Sequence, residues 1–174
     1  MDKTTYLCPN CKGEFHDEND LGLCCANGDF FPYIDNTKVP VFADEDKGVN
    51  EYTVTDAAEI HDNSLKWLFS TFGGDEETLR KTLISKLRLV EGQKVLITGV
   101  GAGNDLPYIA KLVGLKGKIF AQDFSRQMLM SAVERSKNTF DLADNDIEFS
   151  VSDATNLPYQ DNCFDAVYHF GGLN

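Results

Sequence analysis

Apolar and polar residues follow three different patterns along the chain. From Met1 to about Asp46 there is no helical period, and Pro9, Gly13, Gly22, Gly28, Pro32 and Pro40 break the chain into short pieces. The apolar segments 29–34 (Asp-Phe-Phe-Pro-Tyr-Ile) and 38–42 (Lys-Val-Pro-Val-Phe) suit edge strands, where a proline that cannot donate to the ladder is tolerated. From about Thr55 to Leu89 the period becomes helical. Leu65, Leu68, Phe69 and Phe72 fall at i, i+3, i+4 and i+7, Gly73-Gly74 ends the run, and Asp75-Glu76-Glu77 opens a second helix with acids at its positive end. Leu79, Leu83 and Leu87 then recur every four residues, and Trp67 and the phenylalanines read as packing residues. From Lys94 onward strands and helices alternate. Residues 95–98, 118–121, 147–151 and 164–168 are predicted strands; helices are predicted from about Leu106 to Val113 and after Ser125, the latter carrying Met128, Leu129, Ala132 and Val133. This alternation predicts an α/β fold with a parallel sheet covered by helices. The acidic run 43–48 marks a linker, so the chain divides into a β-module (1–46), a linker (47–54) and an α/β domain (55–174).

The chain has 174 residues, 42% of them apolar, enough to bury a core. Sixteen basic against 28 acidic residues give a net charge of −12, a field that repels phosphate backbones and disfavours nucleic acid as a partner. No apolar run approaches the roughly 18 residues of a membrane helix, and the first residues lack the apolar stretch of a signal peptide, which predicts a soluble cytoplasmic protein. Four of the five cysteines, Cys8, Cys11, Cys24 and Cys25, lie in the first 25 residues, and in that setting clustering reads as metal ligation before disulfides. Cys8-Pro9-Asn10-Cys11 followed by twelve residues and Cys24 has the spacing of a zinc ribbon. A regular second knuckle would place its last cysteine at position 27, which is Asn; Cys25 is the fourth thiol, and His16 is the alternative fourth ligand. Neighbouring side chains in a strand point apart, so Cys24 and Cys25 share an ion only if the chain turns sharply between them.

The loop Gly99-Val100-Gly101-Ala102-Gly103-Asn104-Asp105 joins a predicted strand to a predicted helix, a setting in which glycines let the backbone approach a ligand and the helix presents free N–H groups. Asp123, twenty residues after Gly103 at the end of the next strand, is placed to accept the two hydroxyls of a ribose, and Asp153 after the third strand is placed to accept from an adenine amino group. The spacing is G-x-G-x-G where a dinucleotide loop has G-x-G-x-x-G, and Asp105 would oppose a pyrophosphate. A ligand with adenosine and a zwitterionic amino-acid tail fits better than a nicotinamide dinucleotide.

These residues resemble the class I S-adenosylmethionine-dependent methyltransferases over about Lys94 to the C-terminus. Residues 95–103 (Val-Leu-Ile-Thr-Gly-Val-Gly-Ala-Gly) resemble the first motif and 121–129 the ribose-holding segment. Residues 153–159 together with 162–167 resemble the stretch D-A-x-x-L-P-F … F-D-x-V. The resemblance implies a Rossmann-like fold with S-adenosyl-L-methionine as cofactor. Gly99, Gly101 and Gly103, with Asn104 and Asp105 beside them, would wrap the methionine part. Asp123 would bind the ribose, Phe124 and Met128 would lie against the adenosine, Asp153 with the Ala154 backbone would read the adenine edge, and His169 would face the sulfonium. His169 is also the one candidate general base, a structural histidine at a strand end being the alternative. The family has an acid where this chain has Ile97, which either weakens the cofactor's grip or leaves Asp105 to substitute. The N-terminal segment resembles the zinc ribbons that precede some methyltransferases, which implies zinc on Cys8, Cys11, Cys24 and Cys25. Its net charge through Lys47, −6, argues against a grip on RNA.

The complete family fold has seven strands, and the chain stops just after the fourth. The expectation is a truncated domain, or one whose sheet is completed by a second chain or a homo-oligomer. The leading function is methyl transfer to a small-molecule acceptor. A non-catalytic nucleoside-binding or regulatory protein is the alternative, followed by ribosomal-RNA methylation and, distantly, a nicotinamide-dependent dehydrogenase.

Overall fold

The computed structural model describes residues 6–18, 20–43, 52 and 54–170; most of the expected linker 47–54 and the last four residues lie outside them. Two sheets organise the chain. The first is antiparallel, β1 (Phe15–Glu18), β2 (Gly22–Cys25) and β3 (Phe30–Pro32) in the order β1-β2-β3. The second is parallel and is built from β4 (Lys94–Thr98), β5 (Lys118–Asp123), β6 (Asp146–Val151) and β7 (Ala166–His169) in the order β6-β5-β4-β7. Helices α1 (Ala57–Phe72), α2 (Glu76–Ser85), α3 (Leu106–Val113) and α4 (Arg126–Asn138) complete it. The Rossmann-like sheet and the small β-sheet before it are those expected from the sequence. Among the described residues no helix is long and apolar enough to cross a membrane.

A parallel strand is buried on both faces, so its residues must alternate between two apolar surroundings. Val95, Ile97, Ile119 and Ala121 point into the helical side, where Leu106, Ile109, Ala110 and Val113 of α3 and Leu129 and Ala132 of α4 meet them. Leu96 and Phe120 point the other way, into a cluster with Tyr6 and Tyr159 that Phe164 and Phe42 extend. Phe120 is fully buried at its centre, with ring centroids 5.8 Å from Tyr159 and 5.2 Å from Phe164 in edge-on contact, the arrangement aromatic quadrupoles favour.

The N-terminal segment supplies much of that second face and one edge as well. Tyr6 stacks on Tyr159 at 5.3 Å, and Leu7 N–H donates to the Pro158 carbonyl. Residues 40–42 leave the small sheet and run beside β6: Phe42 N–H donates to the Val151 carbonyl (2.7 Å) and Val151 N–H to that of Pro40 (2.9 Å). The predicted edge strand 38–42 therefore pairs with the last residue of β6, Val151, with Pro40 serving as an acceptor.

Two helical stripes differ from expectation. In α1 the buried residues are Ala57 and Ala58; Leu65 and Phe69 are half-buried, and Trp67, Leu68 and Phe72 are exposed. In α2 the inward stripe is Arg80, Leu83 and Ile84, continued by Leu87 just past its end, while Leu79 faces outward, because the buried guanidinium of Arg80 finds acidic partners in Glu76 of the same helix and Asp105. Removing the ring at the centre of the aromatic cluster leaves a large void. Phe120→Ala is expected to lower unfolding free energy by about 3–5 kcal/mol in urea titration, and a loss under about 1 kcal/mol would show that this face does not carry the fold.

Candidate functional site

The sheet order reverses direction between β4 and β7, the place where open α/β sheets hold ligands beyond the carboxyl ends of their strands. The glycine loop leaves β4 there. Gly99 has φ +62° and a Cβ on it would stand 3.1 Å from the His169 ring; Gly103 has φ +85° and a Cβ would meet Ala132 of α4 at 3.1 Å. A side chain at either position would be strained and crowded, so the loop's path requires glycine. Val100 N–H donates to the Gln122 carbonyl, tying the loop to β5.

Asp123, the last residue of β5, faces this loop. Its Oδ2 accepts from Gly101 N–H at 2.7 Å and its Oδ1 from Ser125 N–H at 2.8 Å. Burial pushes its carboxyl above the ordinary value of 3.8, and the N–H groups of Ser125, Gly101 and Phe124 pull against that rise. Each carboxylate oxygen retains acceptor capacity, so the pair can receive two vicinal hydroxyls. Ser125 caps α4 by accepting from Met128 N–H, and Ser152 N–H donates to the Asp123 carbonyl, which brings the end of β6 alongside. One residue further, Asp153 Oδ1 accepts from both the N–H and the hydroxyl of Thr155; Ala154 is exposed and Phe124 half-buried. His169 ends β7 opposite Thr98, with Nδ1 2.8 Å from the Thr98 carbonyl and 3.1 Å from its hydroxyl. A carbonyl only accepts, so in the neutral ring Nδ1 carries the proton and Nε2 the lone pair.

Three residues expected at the cofactor are engaged within the protein. Asp105 is buried; its Oδ2 accepts from Arg80 Nη1 at 2.6 Å and its Oδ1 from the Tyr168 hydroxyl at 3.2 Å. Arg80 also bonds Glu76 through Nε and lies 4.4 Å over the Phe170 ring. Burial raises the Asp105 carboxyl and the Arg80 guanidinium draws it back, so this acid is committed to an internal ion pair. Ile97 is packed in the core, and Asp105 does not stand in for the acid the resemblance would put there. Asn104 donates to Asp62 of α1 at 3.0 Å and accepts from Arg135 of α4. Met128 is buried with Ala57, Ala58 and Ala102, and its Cε lies 3.6 Å from where a Cβ on Gly101 would be. The contribution of α1 was invisible in the sequence. Asp62 pairs with Arg135 at 2.7 Å, and the Tyr52 and Thr55 carbonyls accept from the side chains of Ser125 and Gln127, so Tyr52, Thr55 and Asp62 contact α4 at its start and in its last turn. A search for apolar period gives weight to Leu65 and Phe72, not to two alanines and an aspartate.

In the small sheet the cysteines gather differently from the expected set. The Sγ atoms of Cys8, Cys11 and Cys25 and a carboxylate oxygen of Asp29 all lie within 4.8 Å of one another. Cys24 is on the opposite face of β2, with its Sγ 3.6 Å from the Cys25 carbonyl, because adjacent strand residues point apart and β2 does not turn between them. Asp29 takes the place expected for Cys24, and His16 is exposed and outside the group. Burial pushes the Cys8 thiol up to about 12, whereas the Gly13 N–H lowers that of Cys11.

A parallel sheet in this order, with a glycine loop at its switch point and an acid ending the second strand, is a Rossmann-like arrangement. Comparison with known proteins agrees: residues 95–174 match the family described as a methyltransferase domain. The chain is 40% identical over 96 residues to phosphoethanolamine N-methyltransferase 1 of Zea mays, covering 55% of this chain and 18% of that protein. It is 32% identical over 88 residues to the demethylmenaquinone methyltransferase of Staphylococcus carnosus, covering 51% of this chain and 34% of that one. The chain thus spans about a fifth to a third of the length of these relatives. Its fold is similar, with TM-score 0.56 and 22% identity, to that of a protein described as S-adenosyl-L-methionine-dependent methyltransferase-like from Methanococcus maripaludis; the likeness covers 72% of this chain and 53% of that one.

The raised carboxyl of Asp123 gives a pH signature. Its folded value lies above its unfolded one, so the ligand-free fold gains stability as pH falls through the folded value toward the unfolded one, while any ligand that needs the ionised oxygens is lost over the same interval. Adenosine-ligand affinity measured between pH 7 and pH 4 is expected to fall at a higher pH than an ordinary carboxylate would dictate, and Asp123→Asn is expected to remove that dependence.

Proposed function

We propose that the α/β domain binds S-adenosyl-L-methionine and transfers its methyl group to a small-molecule acceptor. The observation that carries this reading is the Asp123 carboxylate at the end of β5, whose Oδ2 is held by Gly101 N–H of the glycine loop and whose Oδ1 is held by Ser125 N–H at the start of α4. The residues present fit the nucleoside: Asp123 for the ribose hydroxyls, Phe124 for the ring face, Asp153 and the Ala154 backbone for the adenine edge, and Gly99, Gly101 and Gly103 for a close backbone approach. When bound, the cofactor supplies a methyl group already activated on a sulfonium, so what the protein adds is alignment and exclusion of water. Asn104, through Asp62 and Arg135, fixes the loop to α1 and α4; Met128 supports Gly101 from below. His169, oriented by Thr98, offers Nε2 as the base for an acceptor that must lose a proton. The maize and S. carnosus relatives are named for acceptors of phosphoethanolamine and demethylmenaquinone type, and both names support a small acceptor over a polymer. In the same reading the N-terminal lobe is a zinc-holding module packed on the catalytic domain.

Calorimetry separates this from its competitors. S-adenosylmethionine and S-adenosylhomocysteine are expected to bind and NADH is not. Asp123→Ala, which removes two hydrogen bonds to a charged group, is expected to weaken binding by about 100-fold or more. Absence of binding to either sulfur nucleoside would refute the reading. Binding without turnover of any acceptor by a chain with the full length of its relatives would favour a non-catalytic nucleoside-binding protein.

A further inference from the structure

The chain around the cysteines forms two tight turns that aim side chains inward. In the first, Lys12 N–H donates to the Cys8 carbonyl and Cys8 N–H to that of Gly13, with Lys12 at φ +57°. In the second, Gly28 N–H donates to the Cys25 carbonyl and Cys25 N–H to that of Asp29, with Gly28 at φ +84°. Both turns thus present two ligand atoms each: Cys8 and Cys11 from one, Cys25 and Asp29 from the other.

Three of the six spacings among these atoms are close to the edges of a coordination tetrahedron, and all six are within 4.8 Å. Tetrahedral zinc with Zn–S near 2.3 Å and Zn–O near 2.0 Å requires S···S edges of about 3.8 Å and S···O edges of about 3.5 Å. The observed edges are 3.7 Å for Cys11 Sγ to Cys25 Sγ, 3.4 Å for Cys8 Sγ to Asp29 Oδ2 and 3.2 Å for Cys25 Sγ to Asp29 Oδ2. The other carboxylate oxygen, Oδ1, accepts from Asn10 Nδ2 at 2.9 Å, the outer hydrogen bond that orients a ligating carboxylate. Sulfur and carboxylate oxygen are both zinc ligands, and three sulfurs with one carboxylate within 4.8 Å of one another supply the four donors a tetrahedral site needs.

The first turn also grips the domain. Asn156 Nδ2 donates to the Pro9 carbonyl at 3.2 Å, Lys12 Nζ donates to Asn156 Oδ1 at 2.6 Å, and Leu7 N–H reaches the Pro158 carbonyl at 2.9 Å. Asn156 N–H in turn donates to the Asp153 carbonyl. The segment so held, 156–159, directly follows Asp153 and Ala154, the residues assigned to the adenine edge.

We propose that Cys8, Cys11, Cys25 and Asp29 form a zinc site in which Asp29, not Cys24, is the fourth ligand, and that the metal braces the loop 153–159 through the Cys8–Gly13 turn. This rests on reading the N-terminal lobe as a metal module and is independent of whether the domain binds S-adenosylmethionine.

The test is zinc competition with a chromophoric chelator on the whole chain, handled without oxygen and without nucleoside. One zinc per chain is expected. Cys24→Ser is expected to leave affinity unchanged, and Asp29→Ala to lower it by at least about 100-fold, more than loss of an outer-shell partner costs. Should Asp29→Ala fail to fold, Asn10→Ala keeps every ligand and is expected to weaken zinc roughly 10- to 100-fold. Absence of zinc binding, or loss of zinc in Cys24→Ser with retention in Asp29→Ala, would overturn the site. Hydrogen exchange before and after chelation reads the brace: protection within 153–159 is expected to fall on removing zinc, and unchanged protection would overturn it.

Discussion

A sheet whose strands are apolar on both faces cannot stand with one face in water, and this requirement arranges the rest of the molecule. One face is covered in the ordinary way by α3 and α4 over Val95, Ile97, Ile119 and Ala121. The other, carrying Leu96 and Phe120, is covered by Tyr159 and Phe164 from the domain and by Tyr6 from the N-terminal segment. That segment is therefore part of the domain's core. The end of β6, at Val151, is paired by residues 40–42, through Pro40 and Phe42. Behind these rings, Phe15, Phe31 and Phe42 continue the aromatic packing up to Cys8 and Cys25, so the cysteine cluster is seated against the core rather than at the end of a tether.

With the sheet fixed, topology gathers the residues of the proposed site. The strand order turns between β4 and β7, and the glycine loop, Asp123, Asp153 and His169 all stand at carboxyl ends of neighbouring strands. Asp123 is the pivot, because its two oxygens fasten the loop after β4 to the start of α4. The buried Arg80–Asp105 pair does a parallel job on the other side, joining α2 to the start of α3 and, through Tyr168, to β7. Removing one member of such a pair leaves an uncompensated buried charge, which explains why a charged residue occupies the inward stripe of α2.

What was legible in the sequence followed from strong local signals. The alternation after Lys94 placed all four parallel strands, and the expected positions of the G-x-G-x-G loop, Asp123 and Asp153 after successive strands are those they hold at the carboxyl ends of β4, β5 and β6. Less legible features depend on contacts between distant residues. Arg80 reads as a surface residue of a helix until Asp105 and Glu76 are brought to it. The exposure of Trp67 and Phe72 contradicts a regular apolar period, since period reports which residues share a helical face and not whether anything covers it. The cysteine spacing gave the cluster three of its four members, but Asp29 joins it through a turn of five residues, Cys25 to Asp29, in which the acid lies four positions after the thiol. Cys24 was the nearer candidate in sequence and the wrong side of the strand in space.

The most direct check on the central claim is residue-resolved NMR of the backbone amides while S-adenosylhomocysteine is added. The account predicts the largest shifts at Gly99–Gly103, Phe124, Ser125 and Ser152–Ala154, at the carboxyl ends of β4, β5 and β6, with little change along β1 to β3. Saturating nucleoside that left those amides unmoved, or that shifted residues elsewhere, would contradict it.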